Sequence, residues 1–324
     1  MNAAFDTVIG AKDDERLDLF LASARRLGTA VQNIEKDFWV CWVLDVLFNG
    51  MGEGHPRLLF KGGTSLSKSF GLIDRFSEDI DITVFRDDLG EPVSIADLEG
   101  LSGKQRRARL DAIRAACQAF ITGPFLTAFD EALIGAMRAA RIASSRYRAE
   151  LDPADPDQQT VLFWYPVVTA GDTPYIRSAV KIEAGAKSAL DPHVVTTVRP
   201  YAADDVADLN LAVTGITTVE PQRTFWDKVV ILHGLRAWHD RRGQLRHAGQ
   251  RVSRHYFDCS GCCSRRWVNG RYTTARSAST APGTPGCSST AQTSISTTQW
   301  PARCGCCHLQ TCGPCSNATT TRWQ

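Results

Sequence analysis

A glycine-rich turn followed by a strand with two carboxylates constrains this chain more than any other feature. Residues 60–66 read Phe-Lys-Gly-Gly-Thr-Ser-Leu, and residues 75–82 read Arg-Phe-Ser-Glu-Asp-Ile-Asp-Ile. Polar and apolar residues alternate in the second segment, which predicts a strand with Asp79 and Asp81 on one face. Glycines let backbone amides approach phosphate groups closely. Two neighbouring carboxylates can hold Mg²⁺ or Mn²⁺ together with substrate phosphates, so the spacing predicts a metal and phosphate site.

The alternative interpretation of Asp79 and Asp81 is a pair of solvated carboxylates at the edge of a sheet. An isolated Asp-x-Asp favours that alternative, but the Gly62-Gly63 turn upstream favours a functional site, since such a site needs both parts. Glu78 is predicted to point to the opposite face of the strand and is left out of the site. Together the turn and the strand have the layout of a polymerase-like nucleotidyltransferase site that binds a nucleoside triphosphate.

Two further charged residues are candidates for this site. Glu183 lies in the predicted strand 177–183 and would be a third carboxylate from an adjacent strand, with Lys181 on its face. The alternative is an ordinary edge strand with a charged, solvated face. Lys228 lies in a predicted helix, 222–238, beside Ile231 and Leu232. It either extends its ammonium group to water past the apolar residues or provides a fixed positive charge for triphosphate oxygens.

The chain is predicted to be an α+β protein, with a nucleotidyltransferase domain at 1–210 and the start of a helical C-terminal region at 211–258. Pro124 should divide the helical stretch 104–148, because proline removes a backbone donor. The other predicted elements are helices at 11–27, 30–48 and 253–258 and strands at 58–60, 80–85 and 161–168.

The composition changes abruptly after Asp258. All 35 acidic residues lie at or before this position, and nine of the 11 cysteines lie after it. Residues 259–324 contain one Ile, one Leu and one Val, which is too little apolar surface to fold alone by core burial. We therefore predict that 259–324 is a disordered tail.

Three origins of this tail are considered. A zinc module would use the irregularly spaced residues Cys304, Cys306, Cys307, His308, Cys312 and Cys315. A disulfide scaffold conflicts with the predicted cytoplasmic location, which follows from the absence of a recognisable signal peptide or membrane span. Translation of a GC-rich gene in a shifted frame would explain the bias toward Arg, Ala, Cys, Gly, Ser and Thr, and we favour it.

Four motifs, in order, resemble those of the AbiEii/AbiGii family of nucleotidyltransferase toxins. They are residues 61–66, residues 76–81, the helix segment 225–228 with Leu232-His233, and residues 254–258. Residues 34–39 also resemble that family. The resemblance covers about 30–258, and the chain departs from the family pattern afterwards.

The resemblance implies a polymerase-beta-like fold, with a small mixed sheet flanked by helices and a helical C-terminal region that is truncated in this chain. It also implies a role as the toxin of a bacterial toxin–antitoxin and phage abortive-infection system. It implies a cognate antitoxin as partner and, from some relatives, tRNA 3′ ends as acceptors. The nucleotide-binding residues would be Gly62, Gly63, Thr64, Ser65 and Ser77. The metal ligands would be Asp79 and Asp81, with Lys228 and Asp258 as the remaining catalytic residues.

Two hypotheses remain open at this stage. An acceptor RNA could bind basic residues, namely Lys104, Arg106, Arg107, Arg109, Arg236, Arg241, Arg242 and Arg246, although for any one of them a solvated helix face is the favoured interpretation. Alternatively, the chain is an inactive remnant that binds nucleotide or acts only as an interaction protein.

Overall fold

A computed structural model describes residues 1–169, 177–245 and 252–264. The strands in this part of the chain are β1 (Leu58–Lys61), β2 (Asp79–Val84), β3 (Arg148–Leu151), β4 (Thr160–Trp164), β5 (Ala179–Gly185), β6 (His193–Val198) and β7 (Val213–Val219). The helices are α1 (Ala4–Gly10), α2 (Asp13–Leu27), α3 (Val31–Asp45), α4 (Gly62–Lys68), α5 (Ile95–Gly100), α6 (Gly103–Phe120), α7 (Leu126–Ala139), α8 (Pro221–Arg242) and α9 (Ser253–Ser264).

The seven strands found in the described residues form one mixed sheet in the order β3-β4-β5-β2-β1-β7-β6. Strand β2 lies between β1, which is antiparallel to it, and β5, which is parallel to it. Strand β1 also pairs in parallel with β7. The predicted mixed sheet flanked by helices is thereby confirmed. Because β7 belongs to this sheet, the sheet continues beyond the predicted domain boundary at residue 210.

Helix α3 forms the centre of the main hydrophobic core. Its side chains from Ile34 to Asp45 are all buried, and Trp39 contacts Phe163 of β4 and stacks on Tyr165. Alternate residues of β2, including Ile80 and Ile82, belong to the same core. Since successive side chains of a strand point to opposite faces, Asp79 and Asp81 lie on the other face of the sheet.

A second, smaller core holds α8 and α9 against α4. It contains Leu66, Leu72, Ile73, Phe225 and Cys262. Helix α9 extends past the predicted end at Asp258 as far as Ser264, and Cys262 is buried within it. The first residues of the predicted tail therefore belong to a packed helix, whereas 265–324 lie outside the described residues and their prediction remains untested.

Several predicted elements agree closely with the structure. Helices 11–27 and 30–48 correspond to α2 and to α3 with the wide helical turn that follows it. Pro124 lies in the wide turn Ile121–Phe125, which separates α6 from α7 as predicted. Strands β3, β6 and β7 were not predicted. Both β6 and β7 are rich in Val and Thr, and this β-branched composition is the signal that could have identified them.

Candidate active site

The glycine turn joins β1 to α4 directly beside the carboxylate strand. Gly62 has a φ of +83°, which side-chain-bearing residues rarely adopt, and a Cβ atom there would lie 2.0 Å from Asp81 Oδ2. A Cβ atom on Gly63 would lie 2.6 Å from Arg75 Nη2. Glycine is therefore required at position 62, whereas a side chain at position 63 would have to displace the end of the Arg75 side chain.

Hydroxyl groups tie the turn to the start of β2. Thr64 Oγ1 lies 2.9 Å from Ser77 Oγ, and it also donates a short hydrogen bond to the carbonyl oxygen of Asp79. Ser65 Oγ donates to the carbonyl oxygen of Gly62 over 3.0 Å. Thr64 and Ser65 are buried, so their side chains stabilise the turn. Any contact of these two residues with a nucleotide would have to come from the backbone.

The two aspartates lie at the end of β2 that is next to this turn. Asp79 is in register with Lys181 of β5, and Asp81 is in register with Glu183 of β5 and with Lys61 of β1. Burial raises the pKa of Asp81 to about 7, and repulsion from Glu183 and Asp79 adds to the effect against the attraction of Lys61 and Lys228. A carboxyl group in this position is poised to exchange its proton for a cation.

Glu183 lies on a strand adjacent to β2, as the sequence suggested. Its carboxylate accepts a hydrogen bond of 2.5 Å from Lys181 Nζ on the same face of the strand. Lys181 also lies 3.9 Å from Asp152 Oδ2. The charge of Glu183 is thus partly neutralised by Lys181.

The residues described fit a metal ion held jointly by protein and substrate. No group of three or more His, Cys, Asp or Glu side chains within them is arranged to hold a metal ion by itself. Mg²⁺ is usually held by one or two carboxylates together with substrate phosphates, and Asp81 with a neighbouring carboxylate would suit such shared binding. The mutual repulsion of these carboxylates also favours a divalent cation between them.

Lys228 and Asp258 meet in a buried cluster with Arg75. Lys228 Nζ lies 2.8 Å from Asp258 Oδ2, and Arg75 binds both carboxylate oxygens, with Nε 2.7 Å from Oδ1 and Nη2 2.8 Å from Oδ2. Asp258 has no solvent exposure. Burial alone would raise the pKa of Asp258, but the hydrogen bonds from Arg75 and Lys228 outweigh it and hold that pKa below its usual value.

Three cations of the site were not identified as site residues from the sequence. Arg75 stands at the start of the carboxylate motif, Lys61 precedes the glycine turn, and Arg254 Nη1 lies 3.9 Å from Asp79 Oδ2. All three belong to the quoted motif segments, so the position of Lys61 beside the glycine turn, and of Arg75 and Arg254 near acidic residues, was the available signal. Lys61 Nζ additionally donates to Ser188 Oγ over 3.0 Å.

Glu78 is separate from the carboxylate site, in agreement with its exclusion. Its carboxylate accepts a 2.6 Å hydrogen bond from Lys36, which is buried on α3. On the same helix, Asp37 pairs with Lys68 of α4 over 2.6 Å. The charged residues of segment 34–39 therefore connect the central helix to both flanks of the site.

Most of the basic residues considered for RNA binding already have partners within the protein. Arg109 pairs with Glu91, Arg236 with Asp240, and Arg106 and Arg241 donate to backbone carbonyl groups. Arg242 stacks over the Trp238 ring at 4.8 Å. Lys104 and Arg107 are exposed, and Arg246 lies outside the described residues. Lys104 and Arg107 are thus the best remaining candidates for phosphate contacts.

Comparison with known proteins identifies the family of this chain. The family model described as "Nucleotidyl transferase AbiEii toxin, Type IV TA system" matches residues 45–283, which include the glycine turn, the carboxylate strand, Lys228 and Asp258. The chain belongs to the AbiEii family. That match continues into the segment of altered composition after Asp258, up to residue 283. No curated protein matches the chain.

Among solved structures, this AbiEii-family chain is similar to MenT4, a nucleotidyltransferase toxin of Mycobacterium tuberculosis H37Rv. The two share 16% sequence identity with a TM-score of 0.38. The alignment covers 65% of this chain and 58% of MenT4, so it spans less than two thirds of the length of MenT4. Within residues 1–169, 177–245 and 252–264, no helix is both long enough and apolar enough to cross a membrane.

Proposed function

We propose that this AbiEii-family chain is a metal-dependent nucleotidyltransferase that transfers NMP from an NTP to an acceptor such as tRNA. The observation that carries the proposal is the placement of Asp79 and Asp81 on one face of β2, with Asp81 against the Gly62 turn and near Lys228. Anionic groups and cations are thus gathered where a triphosphate and its metal would have to bind.

Each part of the site has a chemical role in this proposal. The Gly62-Gly63 turn lets the triphosphate approach the backbone, and Ser77 and Thr64 fix the turn relative to Asp79. Mg²⁺ or Mn²⁺ held by substrate phosphates together with one or two of the carboxylates of Asp79, Asp81 and Glu183 would offset the negative charge that builds on the phosphoryl oxygens during transfer. Lys228, backed by Asp258, would act as a fixed positive charge for the triphosphate.

The biological role follows from the family. We propose that the chain is the toxin of a toxin–antitoxin pair with a cognate antitoxin, that it acts in abortive infection, and that it works in the cytoplasm. The family description supports the toxin role. Binding assays with a purified antitoxin and transfer assays with purified acceptors would test both the antitoxin partner and the acceptor.

The test is incorporation of labelled NMP into bulk tRNA, with each of the four NTPs and with Mg²⁺ or EDTA present. Asp79→Ala and Asp81→Ala should each abolish transfer while leaving the melting curve cooperative. Asp87→Ala, which removes an exposed carboxylate from a nearby turn, is the matched control and should transfer normally. Near-normal turnover by either site variant would show that the site is wrongly assigned.

A second candidate is an inactive remnant that acts as an interaction protein. The observation that favours it is exposed apolar surface on α8 and α9, where Trp226, Val230, Tyr256 and Phe257 are each about half exposed or more. Contiguous exposed apolar surface commonly marks an interaction site or a lost packing partner. NTP binding without transfer to any RNA, under conditions where the fold is intact, would favour this candidate.

A further inference from the structure

We propose that Arg75 is a positioning residue that neutralises Asp258, so that Lys228 presents a positive charge to the triphosphate of the bound nucleotide. The inference rests on the proposed function, in which Lys228 is the cation that contacts the triphosphate. It assigns a role to a residue that does not itself contact the reacting atoms.

The guanidinium group of Arg75 is held by acceptors within the protein. Nε and Nη2 bind the two oxygens of Asp258, and Nη1 donates to the carbonyl oxygen of Phe76 over 3.3 Å. Each of its three nitrogens is therefore oriented by an internal acceptor. Such a bidentate pair between arginine and a carboxylate is strong and geometrically specific, so Arg75 fixes both the charge and the orientation of Asp258.

Arg75 changes the net charge of the cluster that it forms with Lys228 and Asp258. Lys228 and Asp258, 2.8 Å apart, would by themselves cancel at the distance of a bound phosphate. With Arg75 added, two cations share one carboxylate and the cluster carries one excess positive charge. Because Asp258 is fully buried and the side chain of Lys228 is nearly so, solvent screens this charge only weakly.

The position of the cluster directs that charge toward the proposed nucleotide site. Arg75 Nη2 lies against Gly63, in the turn that would hold the triphosphate, and the same nitrogen shares Asp258 Oδ2 with Lys228 Nζ. The cluster also joins three segments, namely the loop before β2, helix α8 and helix α9. A purely structural role for Arg75 would consist only of joining these three segments. That role and the neutralisation of Asp258 predict different results for charge-changing variants.

The experiment measures binding of inorganic tripolyphosphate to the full chain by calorimetry, without divalent cations. Arg75→Gln should weaken binding about tenfold, since it leaves a neutral Lys228–Asp258 pair. The double variant Arg75→Gln/Asp258→Asn should recover to within about threefold of the wild-type affinity, because it restores the excess positive charge. Arg75→Lys keeps the charge and should also remain within about threefold.

Arg57 provides a matched control. It binds both oxygens of Asp88 at 2.9 Å, in the same bidentate way, but at the other end of β1. Arg57→Gln should leave tripolyphosphate affinity unchanged. Melting curves of all variants separate loss of charge from loss of fold.

If Arg75 only held the three segments together, the double variant would bind tripolyphosphate as weakly as Arg75→Gln does, or more weakly. That pattern, or the absence of tripolyphosphate binding by the wild-type chain, would overturn the inference. A wild-type chain that shows the expected binding pattern but transfers no NMP would overturn the proposed function and leave the role of Arg75 in place.

Discussion

Asp81 lies directly across from Glu183 in the parallel pairing of β2 with β5. Two carboxylates on adjacent strands repel each other, and like charges placed opposite one another destabilise a sheet. The protein tolerates this arrangement in the centre of its sheet, where an apolar pair would pack better. Such a local conflict between stability and charge is typical of functional sites.

The raised pKa of Asp81 predicts how the free energy of unfolding depends on pH. The pKa of Asp81 is about 7 in the folded protein against an ordinary value of 3.8, so the folded state binds this proton more tightly than the unfolded chain does. Its contribution to the free energy of unfolding is therefore fully present below about pH 4 and is lost as the pH rises through about 7. Asp81→Asn, which stays neutral, should be more stable than the wild type by about 1–4 kcal/mol at pH 8.

Urea unfolding at pH 5 and pH 8, without divalent cations, checks this prediction. The stability advantage of Asp81→Asn over the wild type should be clearly smaller at pH 5 than at pH 8. Asp87→Asn, on the exposed turn after β2, is the control and should show no such dependence. Equal stabilities of Asp81→Asn and the wild type at pH 8 would contradict the raised pKa.

The glycine turn gives a second prediction. Gly62→Ala would place a Cβ atom 2.0 Å from Asp81 Oδ2 in a backbone conformation that alanine disfavours. We expect it to displace Asp81, abolish NMP transfer and destabilise the fold by about 1 kcal/mol or more. Gly135→Ala, on an exposed position of α7 with no atom within 4 Å, should instead stabilise the protein by about 0.5–1 kcal/mol. Transfer assays and urea unfolding of both variants measure the contrast, and unimpaired transfer by Gly62→Ala would be incompatible with the site.

The parts of the site that were predictable are those encoded by short-range patterns. Alternation placed Asp79 and Asp81 on one face of a strand, and the Gly62-Gly63 pair indicated a turn that must admit close neighbours. The pairing of Arg75 with Asp258 could not be predicted in this way, because the two residues are 183 positions apart and meet only after α9 packs against Leu72 and Ile73, in the loop that follows α4. The link between Lys36 and Glu78 depends equally on tertiary packing.

Boundaries were harder to predict than elements. The change in composition after Asp258 suggested that ordered structure ends there, yet Cys262 packs with Leu66, Leu72 and Ile73. A cysteine thiol behaves as a small apolar group when buried, so a segment poor in Ile and Leu can still complete a helix face. Composition averaged over a long tail concealed this local contribution.

Salt dependence tests the proposed RNA acceptor. If Lys104 and Arg107 contact phosphates, tRNA affinity should fall steeply between 50 and 200 mM salt through counterion release. Lys104→Gln and Arg107→Gln should each lower the slope of log affinity against log salt by about 1. Arg109→Gln, whose guanidinium is paired with Glu91, should change the slope less. Fluorescence anisotropy with labelled tRNA provides the measurement, and a salt-independent affinity would argue against this surface.

The last prediction concerns the segment after α9. If residues 265–324 arise from a shifted reading frame, a chain ending at Ser264 should unfold at the same temperature as the full chain. A chain ending at Asp258 should unfold at a lower temperature, because it loses Cys262 from the core between α4 and α9 and the closing turns of the helix that holds Asp258. A zinc module would behave differently, since it would bind metal stoichiometrically and chelation would unfold it. Melting curves of the three chains with and without EDTA, together with metal analysis of the full chain, decide between these outcomes. Stoichiometric zinc, or a large loss of stability on removal of 265–324 alone, would show that this segment is part of the folded protein.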